Sequence, residues 1–266
     1  HLRIMDSTRD NLDLFRDAID ANPFRLDIAA FAISAYVGSN SLEIADWLKR
    51  LDVLSELVTE PTLDGLFRSL CHEQGFRGVQ NNYYDADNSY LDQVLNRKCG
   101  IPITLSVLLL EVGRRVGVPL FGVGMPGHFL VGDRVDRNIF IDLFNGAVLD
   151  RHKARELFHS MNPDLPFQEN YLDETPTESI ILRMLNNLRM IAYRNNQPKT
   201  LIKILELMTL LEDCPLDEFF KLASALEAVG RIEDAARYLD DAALRFGGSD
   251  GDELRAQVTR LWARLN

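Results

Sequence analysis

The sequence predicts an α+β protein in which a helical N-terminal half and a small antiparallel sheet pack on one central helix, followed by an all-α tail. Apolar residues recur at helical spacing from Arg9 to about Gly75. Between residues 118 and 150 the spacing becomes that of short strands separated by turn residues. After residue 177 the helical spacing returns and continues to the end of the chain. These changes of period define the predicted fold class.

Composition limits the classes of partner. The chain has 266 residues, 46% of them apolar, so it can bury the core of one large domain or two modest ones. The 40 acidic residues outnumber the 29 basic ones and give a formal charge of -11. The sequence contains no Lys/Arg-rich run and no basic stripe with interleaved aromatics. Nucleic acids and membranes are therefore not expected as partners.

Location and thiol chemistry are also predicted from the residues. The longest apolar stretch, Ile101 to Val112, is broken by polar residues and is too short to span a membrane. The first six residues lack the pattern of a secretory signal, so a soluble, cytoplasmic protein is the expectation. Cys71, Cys99 and Cys214 show no paired spacing, and their odd number leaves at least one thiol free. No metal or other cofactor is expected.

Local signals place the elements around the middle of the chain. Asn88 can cap a short helix that starts near Ser89. Pro102 suits the first position of a longer, apolar helix that continues to about Gly117 and is expected to be the buried central one. The Asn145–Gly146 pair predicts a hairpin within the sheet.

The tail predicts helical repeats. The segment that starts at Asn196 aligns with the segment that starts at Gly230, and this offset of 34 residues is the period of tetratricopeptide helix pairs. We therefore predict two domains, residues 6–172 and residues 178–266, with the tetratricopeptide-like repeats in the second.

His128 and Asp142 are predicted to meet across a hairpin. If residues 128–132 and 138–142 pair antiparallel around a five-residue turn at 133–137, position 128 lies opposite position 142. Residues directly opposite share a face, with Cβ atoms about 4.5 to 5.5 Å apart. The carboxylate could then orient the imidazole, as the third member of a catalytic triad does. A purely structural hydrogen-bonded pair is the alternative.

Cys99 is the candidate nucleophile because it lies just ahead of the first turn of the central helix. The positive end of a helix dipole favours a thiolate, and Arg97 and Lys98 add positive charge. Cys71 and Cys214 have core-like or repeat-boundary surroundings and are expected to be structural. A small residue that fills a loop is the alternative interpretation of Cys99.

Four segments resemble one bacterial family. They are NSYL at 88–91, RKCGIPITL at 97–105, GMPGHFLV at 124–131 and FIDLFNG at 140–146. Together they resemble the SirB-type family of transglutaminase-like proteins, which have a papain-type core. The resemblance implies a transglutaminase-like fold with a tetratricopeptide tail. It also implies a triad in the order Cys99, His128, Asp142.

The register at the helix start leaves alternatives open. Catalytic members of the wider superfamily resemble Gly-x-Cys-x-x-x-Ala, and alignment on Gly100 puts Pro102 at the cysteine and Ser106 at the small position. Thr104 or Ser106 could then replace the thiol. Among the neighbours, Tyr84 could line a substrate groove or pack on the core, and Asn88 could donate to an oxyanion instead of capping a helix.

These residues support two functional hypotheses. The first is a cysteine-dependent amide hydrolase or acyl transferase in which Cys99 attacks, His128 moves the proton and Asp142 orients His128. The substrate would be a peptide, a glutamine side chain or another amide. The alternative is a non-catalytic transglutaminase-like scaffold that binds a protein or peptide partner through its helical tail. The sequence does not indicate an oligomeric state.

Overall fold

Helices make up most of the chain, as the recurring apolar spacing predicts. The computed structural model describes residues 11–38 and 43–264. Contacts divide the chain into two units, one ending at Met184 and one beginning at Leu185. This division falls inside the helix that follows the predicted linker. The bounds 6–172 and 178–266 stay a prediction, and residues 6 and 266 lie outside the described residues.

The N-terminal part of the first unit is helical. A π-helix (Arg68–Glu73) and a 3₁₀-helix (Ala86–Asn88) lie among its α-helices. The α-helices are α1 (Asn11–Ile19), α2 (Leu26–Gly38), α3 (Ile44–Glu56), α4 (Leu63–Phe67), α5 (Leu91–Arg97) and α6 (Pro102–Val116).

The helix α6 is the buried central helix that the sequence predicts. Pro102 occupies its start, where the missing N–H is not needed, and Gly117 ends it with a φ of 79°. Nearly every side chain from Pro102 to Gly113 is buried. The predicted cap of α5 by Asn88 is wrong, because the N-cap is Tyr90 and the Asn88 amide instead donates to the carbonyls of Asn82 and Tyr83.

The sheet is a four-stranded antiparallel meander in the order β3-β4-β5-β6. One face contacts α6, and the other packs on α7 through a cluster that includes Phe121, Phe140 and Phe158. A two-residue parallel ladder lies apart from it and pairs β1 with β2. The elements are β1 (Arg77–Gly78), β2 (Cys99–Gly100), β3 (Leu120–Val123), β4 (Leu130–Asp133), β5 (Ile139–Asp142), β6 (Ala147–Asp150) and α7 (Arg151–Met161).

The predicted register of the β4–β5 hairpin is wrong by two positions. Val131 pairs with Ile141, so the register places Leu130 opposite Asp142 and His128 one diagonal step away. Asp133 remains in β4 through its pairing with Leu120, which shifts the five-residue turn to residues 134–138. An even shift leaves every side chain on its predicted face, whereas an odd one would have reversed them.

The Asn145–Gly146 pair lies in the connection between β5 and β6, which confirms the predicted hairpin. The connection has four residues, 143–146, because Asp142 pairs with Ala147. Gly146 alone of these residues has a positive φ, 66°, so the turn is not the two-residue type that Asn-Gly commonly forms.

The second unit, as far as it is described, is helical. A 3₁₀-helix (Glu169–Leu172) and α8 (Thr177–Arg194) lead into it, and the following helices are α9 (Pro198–Met208), α10 (Leu216–Ala228), α11 (Ile232–Phe246) and α12 (Gly248–Ala263). The starts of α9 and α11 lie 34 residues apart, as the repeat predicts. Each start follows a residue with positive φ, Asn196 or Gly230. Assignment to the tetratricopeptide class stays a prediction.

Candidate active site

His128 and Asp142 form a buried hydrogen-bonded pair. The distance from Nε2 of His128 to Oδ2 of Asp142 is 2.9 Å, and the two side chains are only 2% and 1% exposed. His128 precedes β4 by two residues, in a turn where its N–H donates to the carbonyl of Met125. Asp142 is the last residue of β5. The sheet therefore fixes both members of the pair.

The carboxylate of Asp142 is held by more than the imidazole. Asn145 donates its side-chain Nδ2 to Oδ2 over 2.6 Å and its backbone N–H to Oδ1 over 3.1 Å. Three donors therefore meet one carboxylate, which fixes its orientation.

This arrangement determines the chemistry of the imidazole. An ionised carboxylate can only accept, so Nε2 of His128 carries the proton and Nδ1 of the neutral ring carries the free lone pair. Among the described residues, Nδ1 has no hydrogen-bond partner. Nδ1 is not fully enclosed by the protein either. Nδ1 is thus the nitrogen that can accept a proton.

Cys99 lies in β2, three residues before the start of α6. It is partly buried and pairs with Arg77, and the next pair along the ladder joins Gly78 to Gly100. The N–H of Gly78 donates to the carbonyl of Phe144 over 2.9 Å, and the Phe144 ring stands edge-on to His128 at 5.9 Å between centroids. In the described residues, no hydrogen bond joins the thiol to His128. The ladder and the pair therefore share Phe144 as a neighbour.

Buried polar atoms without a protein partner flank Cys99 in sequence. They are Oδ1 of Asn88, Oγ of Ser89, Oδ1 of Asp92 and Oγ1 of Thr104. An unsatisfied buried polar atom costs on the order of 1–3 kcal/mol, so such atoms concentrate where a protein needs polar groups for another purpose. The N-terminal turn of α6 adds further unpaired donors, because its N-cap, Ile101, has no side-chain acceptor.

Aromatic rings extend from the imidazole towards solvent. The Phe144 ring contacts Tyr83 at 6.2 Å, and Tyr83 contacts Tyr84 at 5.4 Å, both edge-on. Tyr83 and Tyr84 are exposed. Partial desolvation, followed by the nearby Tyr84, raises the pKa of Tyr83, and the positive charge of Arg183 opposes this. The predicted role of Tyr84 in a substrate groove stays a prediction, and its position at the end of this row of rings fits it.

Arg183, on α8, reaches the same place from another element. Its Nη2 donates to the carbonyls of Met125 and His128 over 2.9 and 2.7 Å, and its Cζ lies 5.4 Å from the centroid of the Phe129 ring. Burial lowers the pKa of Arg183, and Tyr83 is the group that opposes this. Nothing in the sequence marks this residue, which occupies one position in a regular helical pattern.

The remaining predicted residues are enclosed. The hydroxyls of Thr104 and Ser106 belong to side chains that are almost fully buried, and Ser106 donates to the carbonyl of Phe129. The Asn88 amide already donates to two loop carbonyls, so a role as oxyanion donor would require those bonds to break. In the described ranges, no three His, Cys, Asp or Glu side chains are placed to hold a metal ion.

Comparison with known proteins identifies the family. Residues 41–186 match the model of the transglutaminase-like superfamily. The chain belongs to this superfamily. Its helical half and antiparallel sheet are therefore a transglutaminase-like core, as the sequence predicts. No solved structure matches the chain.

Several relatives of this transglutaminase-like protein have been recorded. A UPF0162 protein of Xylella fastidiosa (strain Temecula1) is 32% identical over 232 residues, which are 83% of this chain and 77% of the relative. A UPF0162 protein of Vibrio cholerae is 29% identical over 66% of this chain and 67% of the relative. F-box only protein 21 of Mus musculus is 46% identical over 69 residues, 26% of this chain and 11% of the relative.

The described helices of the transglutaminase-like protein contain none that is both long and apolar enough to cross a bilayer.

Proposed function

We propose that this transglutaminase-like protein is a cysteine-dependent amide hydrolase or acyl transferase. The observation that supports it is the buried His128–Asp142 pair, in which Nε2 is bonded to the carboxylate and Nδ1 keeps a free lone pair. A hydrogen bond from Nε2 to a fixed carboxylate orients the ring and stabilises it once it is protonated. Membership of the SirB-type family, within the transglutaminase-like superfamily, is part of the same proposal.

The proposed reaction uses three side chains. Nδ1 of His128 takes the proton of the Cys99 thiol, and the sulfur attacks the carbonyl carbon of an amide. The imidazolium returns the proton to the departing amine, which leaves a thioester on Cys99. Water or an acceptor amine, losing its proton to Nδ1, then attacks the thioester. The acyl group leaves as acid or new amide, and the sulfur recovers its proton.

The alternative function is a non-catalytic scaffold that binds a protein or peptide partner through the helical tail. Two observations favour it. Pro102, not a cysteine, occupies the superfamily's nucleophile position at the start of α6. Large apolar side chains are exposed in the second unit, at Met190, Tyr193 and Leu244. A cytoplasmic location would suit either function, since reducing conditions keep thiols free.

Thiol alkylation distinguishes the two functions. The protein is treated with iodoacetamide at pH 7, and the rate at each cysteine is read by mass spectrometry of peptides. Cys71 and Cys214 serve as internal references, because burial raises the pKa of Cys71 and, with the nearby Glu218, that of Cys214 to about 11. We expect Cys99 to react roughly tenfold faster than either reference.

The decisive result is whether the rate of Cys99 alkylation depends on the His128 imidazole. We expect His128→Gln to slow alkylation of Cys99 by roughly tenfold, and Asp142→Asn to slow it less. His152→Ala, at an exposed histidine on α7, is the matched control and should change nothing. A Cys99 rate that is equal in the wild type and in His128→Gln would contradict the enzyme and favour the scaffold.

A further inference from the structure

Arg183 carries a positive charge that no acidic side chain of the described chain neutralises. Its Nη2 is used by two backbone carbonyls, and in the described residues Nε and Nη1 have no hydrogen-bond partner. Arg189, six positions later on the same helix, instead pairs with Glu218 at 3.0 Å. A partly buried guanidinium without a carboxylate costs free energy, so we infer that such a group is retained because it binds a ligand.

Arg183 lies next to the His128–Asp142 pair. The carbonyl it contacts most closely, at 2.7 Å, belongs to His128 itself. Its Nη1 lies 3.2 Å from the point that a Cβ on Gly124 would occupy, so the glycine lets the backbone approach the guanidinium closely. The Tyr83 ring contacts Phe144, and the Phe144 ring contacts the His128 imidazole. Tyr83 also interacts electrostatically with Arg183. The guanidinium therefore lies beside the turn that carries His128.

We propose that Arg183 binds a carboxylate of the substrate, so that the site selects amides that carry a carboxylate close to the scissile carbonyl. This inference rests on the proposed enzyme function. A guanidinium presents its donors as a planar fork that matches a carboxylate, and the Tyr83 hydroxyl can donate to the same group. A protein with net charge -11 would repel such a substrate elsewhere on its surface, so a local cation is needed to hold it.

Two alkylating reagents of nearly equal shape test the proposal. Iodoacetate carries a carboxylate and iodoacetamide a neutral amide, and both react with the same thiolate. A change in the fraction of thiolate alters both rates equally, so the ratio of the two rates at Cys99 reports only the attraction of the carboxylate. We expect Arg183→Gln to lower the iodoacetate-to-iodoacetamide ratio by roughly tenfold.

Matched variants separate this effect from a structural one. Arg183→Lys keeps the charge without the fork and should retain part of the ratio. Arg189→Gln removes an arginine of the same helix whose charge is already paired, and should leave the ratio unchanged. A ratio that is the same in the wild type and in Arg183→Gln, while His128→Gln still slows both reagents, would overturn the carboxylate site and leave the enzyme standing.

A binding measurement decides the question if Cys99 does not react. N-acetylglycine and its uncharged amide are added to isotope-labelled protein, and the backbone NMR signals of Tyr83, His128 and Phe129 are followed. We expect shifts with N-acetylglycine alone, and none in Arg183→Gln. No shift in the wild type would overturn the proposal. Equal or larger shifts with inorganic phosphate would overturn the choice of a carboxylate as ligand.

Discussion

Asp27 and Arg183 are both charged groups withdrawn from water in the first unit, but their charges are balanced differently. Asp27 is fully buried and accepts hydrogen bonds from Arg25, Arg114 and Arg115 at distances of 2.8 to 3.2 Å. Glu111, beside it, is a second acceptor for Arg114 and Arg115. Arg183, in the part of the chain that the structure describes, donates to neutral carbonyls and forms no ion pair.

The difference indicates which cluster serves the fold and which serves a ligand. The Asp27 cluster ties the start of α2 to the end of α6, and within it every charge has a partner of opposite sign. Removal of one partner from such a cluster leaves uncompensated charge and is strongly destabilising. Arg183 is already uncompensated, so the folded protein carries the cost of its burial in any case. Three substitutions test this comparison.

The largest effect is expected from Asp27→Ala. The variant leaves Arg25 without its carboxylate acceptor and removes one of the three carboxylates that Arg115 binds, so we expect the free energy of unfolding to fall by about 3–5 kcal/mol. Urea unfolding at pH 7 measures it. Asp46→Ala, which removes an exposed pair with Lys49 on α3, is the control and should stay within about 0.5 kcal/mol. Equal losses in the two variants would show that the buried cluster is not structural.

The loss in Asp27→Ala should depend on pH. Burial alone would raise the pKa of Asp27, but hydrogen bonds and charge from Arg25 and Arg115 outweigh burial and lower the pKa below its ordinary 3.8. A carboxyl with a lowered pKa in the folded state contributes stability above about pH 4 and loses it as the pH falls through the folded value. The difference between the wild type and Asp27→Ala should therefore narrow below pH 4. A constant difference from pH 3 to 8 would contradict this.

A smaller effect is expected from Arg183→Met. The variant loses two hydrogen bonds to backbone carbonyls but no longer has to bury a charge, so the two changes oppose each other. We expect the free energy of unfolding to change by less than about 1.5 kcal/mol. Arg115→Met, in the compensated cluster, should cost several times more. A larger loss in Arg183→Met than in Arg115→Met would make Arg183 a structural residue and would break the comparison.

Sequence patterns predicted the parts of this site that follow from periodicity. Face alternation along the hairpin, continued two residues beyond the start of β4, brings His128 and Asp142 together, even though the turn is shifted by one residue. The start of α6 at Pro102 follows from its fixed φ and its missing N–H.

Contacts between distant segments could not be predicted in the same way. Arg183 lies 55 residues after His128 in the sequence, and its orientation depends on how α8 meets the turn before β4. Phe144 acquires its place through a backbone bond to Gly78, which no local pattern encodes. The Asn88 cap failed for a related reason: loop carbonyls of Asn82 and Tyr83 hold its Nδ2, and its Oδ1, the atom that a cap would use, accepts no hydrogen bond from the described residues.

The smallest effect on stability, and the sharpest on the site, is expected from Asn145→Ala. Asn145 is exposed, so loss of its side-chain bond to Asp142 should cost about 0.5–1.5 kcal/mol. Asn138→Ala is a matched control, because Asn138 makes the same kind of bond to Asp136 in the neighbouring turn but does not contact the pair. Urea unfolding should give similar small losses for both.

Only Asn145→Ala should also slow alkylation of Cys99, by a few fold, because only Asn145 fixes the carboxylate that orients His128. The two Asn→Ala variants would then lose similar free energy of unfolding but differ in the rate of Cys99 alkylation. Equal alkylation rates in the two variants would mean that the second donor to Asp142 stabilises the turn alone. The orientation of the imidazole would then follow from the sheet and from its own bond to Asp142, without a contribution from the Asn145 side chain.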